Sequence, residues 1–94
     1  MPLKAEATFT IRHAAGLHAR PLALFVQTTK KFQSAIKIRN ATRGGAAVDA
    51  KSILSVLTLG VQQGHDIHLE AEGPDAEAAL AAVAALVHTN FGEE

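Results

Sequence analysis

The sequence predicts an α+β fold: an open-faced β-sandwich of element order βαββαβα, in which a four-stranded antiparallel sheet carries three helices on one face. Three observations point to it. Several segments place apolar residues at every second position, the period of a strand with one buried and one wet face. Other segments place them at helical spacing. Glycine, proline, asparagine and aspartate gather at the junctions, where the chain must turn. At 94 residues the chain can build one core with little to spare, and it is read as a single domain over residues 1–94.

Each element has its own signal. Ala5, Ala7, Phe9 and Ile11 alternate with Glu6, Thr8 and Thr10, giving the first strand. From Ala19 to about Lys31, Leu22, Ala23, Phe25 and Val26 recur at helical spacing, and Lys30 and Lys31 stand at the end where cations suit the helix dipole. Ile36 and Ile38 alternate with Lys37 and Arg39; the turn-prone run Asn40 to Gly45 follows, and Ala46 to Val48 return as a weaker strand. Ser52 is a suitable N-cap for a short helix through Leu59, which Gly60 closes in a left-handed conformation. Ile67, Leu69 and Ala71 alternate with His68, Glu70 and Glu72 as the last strand. After Gly73-Pro74, Asp75 is expected to cap an alanine-rich helix that buries Leu80, Val83 and Val87 and ends near Gly92.

Composition excludes several classes of function. Nine basic and nine acidic residues balance, so no overall field draws the chain to nucleic acid or an anionic membrane. The only aromatics are four phenylalanines, Phe9, Phe25, Phe32 and Phe91, and they form no pair on a polar strand face of the kind an α+β RNA-binding module uses to stack bases. No cysteine is present, which rules out disulfides and thiolate metal sites and fits a reducing compartment. Only Lys4 precedes the alternating strand pattern, without the apolar run of a signal peptide. The longest apolar run, Ala78 to Val87, falls far short of the ~20 residues a membrane span needs. These features lead us to expect a soluble, cytoplasmic monomer with no membrane insertion.

Chemistry concentrates in Gly16-Leu17-His18-Ala19-Arg20-Pro21. Gly16 allows a sharp turn, and Pro21 is tolerated in the first helical turn because the N–H it lacks has no partner there. His18 therefore stands at a helix N-terminus, where free backbone amides and the positive end of the dipole favour a dianionic group. A neutral imidazole is both nucleophile and leaving group near neutral pH, so it can accept a phosphoryl group and release it. Arg20 adds a permanently charged planar fork for phosphate oxygens. In the second helix, Val56 and Leu59 suffice for the core, which turns Leu54 and Leu57 toward solvent as a contiguous apolar patch. Lys30 follows His18 down the first helix and suits docking of acidic partners. The other histidines, His13, His65, His68 and His88, form no zinc pattern with neighbouring ligands, and no metal site or cofactor is expected.

Together with Lys51-Ser52-Ile53-Leu54-Ser55-Val56-Leu57-Thr58-Leu59-Gly60, the hexapeptide resembles the two signature segments of HPr, the histidine-containing phosphocarrier family of the bacterial sugar phosphotransferase system. The resemblance covers essentially the whole chain, including the short loop Gln62-Gln63-Gly64. It implies an HPr-like fold and a carrier that takes a phosphoryl group from phospho-enzyme I, charged by phosphoenolpyruvate, and passes it to the IIA components of sugar permeases. Such a chain is a consumed and regenerated protein substrate, not an independent enzyme. By family precedent the phosphate sits on the δ (pros) nitrogen of His18, aimed at the amides of Ala19 and Arg20. The resemblance also implies a regulatory phosphorylation at Ser52 by an HPr kinase/phosphorylase, with a carbon-regulation transcription factor as a further partner; Leu22, Ile53, Leu54, Leu57 and Lys30 are expected to form the docking surface. Three features depart from the family pattern: Leu22 and Ala15, at positions usually occupied by a small residue and by Asn or Ser, and a longer hairpin around Asn40 to Gly45.

Overall fold

The computed structural model describes residues 3–93. Strand β1 (Lys4–Thr10) pairs with β4 (Asp66–Glu72), β4 with β2 (Ala35–Asn40), and β2 with β3 (Val48–Asp49), all antiparallel, in the order β1-β4-β2-β3. The register follows the sequence alternation. Phe9 lies opposite Ile67, Ala7 opposite Leu69, Leu69 opposite Ile38, and Ala71 opposite Ile36. These residues share one face, while Glu6, Thr8, Lys37, His68 and Glu70 share the other; a slip of one residue would exchange the two sets.

Helices α1 (Ala19–Thr29), α2 (Ile53–Leu57) and α3 (Ala76–His88) cover the apolar face. Phe25, Val26 and Leu22 of α1, Val56 of α2, and Leu80, Val83 and Val87 of α3 meet Ile36, Ile38, Ile67 and Leu69 in one core. The opposite face is left to water, which is the open-faced sandwich the patterning predicts.

Buried polar residues tie the layers together. Thr29 Oγ1 donates to the Ala50 carbonyl at 2.8 Å, linking α1 to the segment before α2. Asn40, 1% exposed, uses Oδ1 to accept from the amides of Thr42 and Arg43, and Nδ2 to donate to the Leu59 carbonyl. Among the described residues, no buried side-chain nitrogen or oxygen lacks a hydrogen-bond partner.

Four details differ from the sequence expectation, one being that the last helix ends at His88 and not near Gly92, because Asn90 and Phe91 take left-handed φ of +52° and +58° in a separate turn. The third strand is Val48–Asp49, not Ala46 to Val48, because Gly44 and Gly45 adopt φ of +83° and +103° and carry the loop past Ala46 and Ala47 before pairing begins. The second helix ends at Leu57; Leu59 and Gly60 then donate three residues back, to Val56 and Leu57, in the tightened bonds common at helix ends. Asp75 does not cap α3 with its side chain. Its carboxylate instead accepts from the Ser34 hydroxyl at 2.6 Å and from the amides of Ser34 and Gln33 at 2.9 Å, clamping the entry of β2 to the entry of α3. Local spacing marked Asp75 as a cap, but the donors of the β2 entry offer the carboxylate a fuller set of partners.

Candidate functional site

The segment between β1 and α1 is shaped by one close approach. Gly16 has φ +64° and donates its amide to the His13 carbonyl at 2.9 Å. A Cβ there would lie 2.3 Å from the Val61 carbonyl oxygen, so glycine is required by both conformation and space. The next residue, Leu17, donates to that same carbonyl at 3.0 Å and buries its side chain to 1% exposure. The loop is thereby held against the segment between α2 and β4.

His18 occupies the N-cap of α1 in an extended conformation, φ −132° and ψ 166°, and its side chain does not cap the helix. The imidazole is half-buried and stands immediately before the amides of Ala19 and Arg20. Ala19 has φ +51°, a left-handed angle uncommon outside glycine that costs roughly 1–3 kcal/mol. The helix thus begins under strain beside the histidine.

Arg20 has partners that the sequence did not suggest. Its Nη1 donates to the Phe91 carbonyl at 2.9 Å and to Glu93 Oε2 at 3.2 Å. The same carboxylate oxygen accepts from His13 Nε2 at 2.9 Å, while His13 Nδ1 accepts the Ala15 amide at 3.0 Å. Because Nδ1 accepts, the ring proton sits on Nε2 and is donated to Glu93. The His13 ring also meets Phe91 edge-on, with centroids 6.0 Å apart. Hydrogen bonding, first from His13 and then from Arg20, holds the Glu93 carboxyl below its ordinary value of 4.5. The chain beyond α3 therefore anchors the guanidinium expected to bind phosphate, and Glu93 supplies an anion to it. Sequence reading missed Glu93, whose only signal was its charge.

Ser52 is the N-cap of α2, with its Oγ accepting the Ser55 amide at 3.3 Å. Beyond it lie the exposed Ile53, Leu54 and Leu57, 46%, 73% and 42% exposed, with Val56 facing the core at 0%. Leu22 is corrected: at 6% exposure it packs in the core and offers a docking partner almost no surface. Its position on α1 puts it on the stripe shared with Phe25 and Val26, which helical spacing turns inward. Lys30 is exposed at the C-cap of α1.

The remaining histidines diverge. His65 Nδ1 accepts the Gln62 amide at 3.1 Å and lies 3.1 Å from Asn40 Nδ2, a structural role in a turn. His88 lies in the last turn of α3. His68 faces the open side of the sheet, where its Nε2 is 2.9 Å from Glu6 Oε1 and 4.0 Å from Glu70 Oε1. Chain spacing gave no sign of this grouping, because its members come from two strands.

The comparisons with known proteins agree with one another. The chain is 47% identical over 87 residues to the multiphosphoryl transfer protein of Vibrio cholerae, covering 93% of this chain and 22% of that protein. It spans about a fifth of the length of the first such relatives it matches. It is 40% identical over 87 residues to the phosphocarrier protein HPr of Treponema pallidum, covering 93% of this chain and 96% of that one. The crystal structure of HPr-C-His from Thermoanaerobacter tengcongensis superposes with a TM-score of 0.90 at 47% identity, over 96% of this chain and 98% of that chain. Residues 5–89 match the model of the PTS HPr component phosphorylation site, and with these relatives and this fold the chain belongs to the HPr family of phosphocarriers of the phosphotransferase system.

Proposed function

We propose that His18 of this chain receives a phosphoryl group from phospho-enzyme I and passes it to IIA components of sugar permeases. The observation that carries this reading is the placement of His18 at the N-cap of an eleven-residue helix, directly ahead of two first-turn amides. In the accepting step the Nδ1 lone pair attacks phosphorus, a nitrogen–phosphorus bond forms, and the bond from phosphorus to its donor atom on enzyme I breaks. Nδ1 must be unprotonated, so the ring proton resides on Nε2. The amides of Ala19 and Arg20 and the positive helix end stabilise the charge on the phosphoryl oxygens, and positioning supplies most of the remaining catalysis. Arg20 joins them by exchanging Glu93 for the phosphate. The chain acts as a protein substrate, discharged and recharged in turn.

Incubation with enzyme I and labelled phosphoenolpyruvate tests the proposal. Label that is labile in acid, stable in base and absent from His18→Ala supports it; labelling that survives this substitution would falsify the assignment.

A regulatory role is a second reading, favoured by the adjacency of Ser52 to the exposed apolar side chains of α2. Phosphate on Ser52, added by an HPr kinase/phosphorylase, places charge at the rim of that surface. There it interferes with docking by enzyme I and creates a feature for a carbon-regulation transcription factor to bind.

A further inference from the structure

On the solvent-facing side of the sheet, away from the helices, the antiparallel register brings three metal-ligating side chains together. Glu6 of β1 lies directly opposite Glu70 of β4, and His68 precedes Glu70 by two residues and so shares its face. Two carboxylates placed opposite each other repel, a cross-strand arrangement that costs stability unless a cation lies between them. The imidazole is aimed into this gap. Thr8, opposite His68, brings its Oγ1 to 2.9 Å from Nδ1 and fixes the ring, leaving Nε2 at 2.9 Å from Glu6 and 4.0 Å from Glu70. One ligand atom from each of the three residues lies within 4.8 Å of the other two.

We propose that Glu6, His68 and Glu70 bind a divalent transition-metal ion of the zinc class across strands β1 and β4. The donor set selects the ion: an imidazole nitrogen with two carboxylates suits zinc and its neighbours, whereas magnesium and calcium take oxygen ligands alone. With bonds of about 2.0–2.1 Å, ligands on a tetrahedral ion stand roughly 3.3 Å apart. Closing the His68–Glu70 separation from 4.0 Å and opening the His68–Glu6 separation from 2.9 Å requires only rotation of the two glutamates, which are surface side chains about half exposed. His68 itself needs little movement. On binding, the Nε2 lone pair is donated to the ion and the neutral ring carries its single proton on Nδ1, exchanged there through solvent from the other tautomer with none released overall, so that Nδ1–H donates to Thr8 Oγ1, the outer contact that metal-bound histidines commonly keep. Water completes the coordination. Lys4, 3.9 Å from Glu70, and Lys37 and Arg39, opposite Glu70 and His68 on β2, compete for the same carboxylates and keep the affinity modest. The ion would clamp the edge strand β1 to the centre of the sheet.

Zinc titration of the intact chain, followed by NMR of the histidine rings and by thermal melting, tests the site. The expected result is a saturable 1:1 shift of the His68 ring ahead of His13, His18, His65 and His88, with a rise in Tm as zinc increases. Glu6→Gln and Glu70→Gln, both at the surface, should each weaken binding roughly tenfold or more, and His68→Gln should remove it. Lys4→Ala should strengthen it by freeing Glu70. Saturation of another histidine first, affinity of Glu6→Gln and Glu70→Gln equal to that of the unmodified chain, or no response of His68 up to millimolar zinc overturns the proposal and leaves His68 as a hydrogen-bond partner of Glu6.

Discussion

Leu22 and Leu54 show how far one residue type diverges with position. Leu22 is 6% exposed and packed in the core, whereas Leu54 is 73% exposed on α2. Leu22→Ala should therefore cost about 2–5 kcal/mol in a denaturant melt, the range for a buried leucine. Leu54→Ala should cost about 1 kcal/mol or less while slowing phosphoryl transfer from enzyme I, because an exposed apolar side chain contributes more to an interface than to the fold. Unimpaired transfer by Leu54→Ala would remove α2 from the docking surface. Both leucines were legible as helical residues. Spacing along α2 already turned Leu54 toward solvent, whereas for Leu22, expected in the docking surface, only the packed structure decided, since helical spacing defines a stripe without fixing which neighbours close over its edge.

At the level of elements, α2 combines a cap and an exposed surface in five residues, Ile53–Leu57. Ser52 holds the first turn through the Ser55 amide, and aspartate is as good an N-cap as serine. Ser52→Asp should consequently leave Tm unchanged or slightly raised. Its added charge beside Ile53 and Leu54 should slow charging of His18 by enzyme I, since that charge must be desolvated when a partner covers it. Kinetics equal to those of the unmodified chain, both for Ser52→Asp and for authentic phosphoserine protein, would leave Ser52 as a helix cap. A large fall in Tm would instead assign the effect to the fold. The entry of α1 was equally local in origin: Gly16, His18 and Pro21 announced a turn, an N-cap and a first helical turn, and the structure places each accordingly. What they did not announce is that Arg20 is engaged by Phe91 and Glu93, because those contacts join residues 71 and 73 positions apart.

For the whole molecule, acid stability reports the long-range clamps. Hydrogen bonds from the Ser34 hydroxyl, and then from the Gln33 amide, lower the Asp75 carboxyl from 3.8 to about 2. A depressed folded-state value means that the carboxylate stabilises the fold fully above about 3.8, and that this contribution disappears as pH falls toward about 2. Glu93 acts in the same sense below its ordinary 4.5. Asp75→Asn should therefore be less stable than the unmodified chain near neutral pH, with the difference shrinking as pH falls from about 3.8 to about 2. Far-UV circular dichroism melts across that range would show it; a difference independent of pH would assign the loss to altered packing at Asp75.

The sequence by itself determined the order of elements, the apolar face of each strand and the place of His18, because period-two and helical patterns, caps and turn residues act over a few neighbours. It also carried the resemblance to HPr, since both signature segments are contiguous. The tertiary structure decided the rest. Asp75 became a clamp on β2 instead of a cap, Leu22 entered the core, Glu93 came to hold Arg20 and His13, and Glu6 met His68 from 62 positions away. Each of these depends on strand register and on how helices seat against the sheet. Those are set by the packing of the entire core, and no local run of residues encodes them.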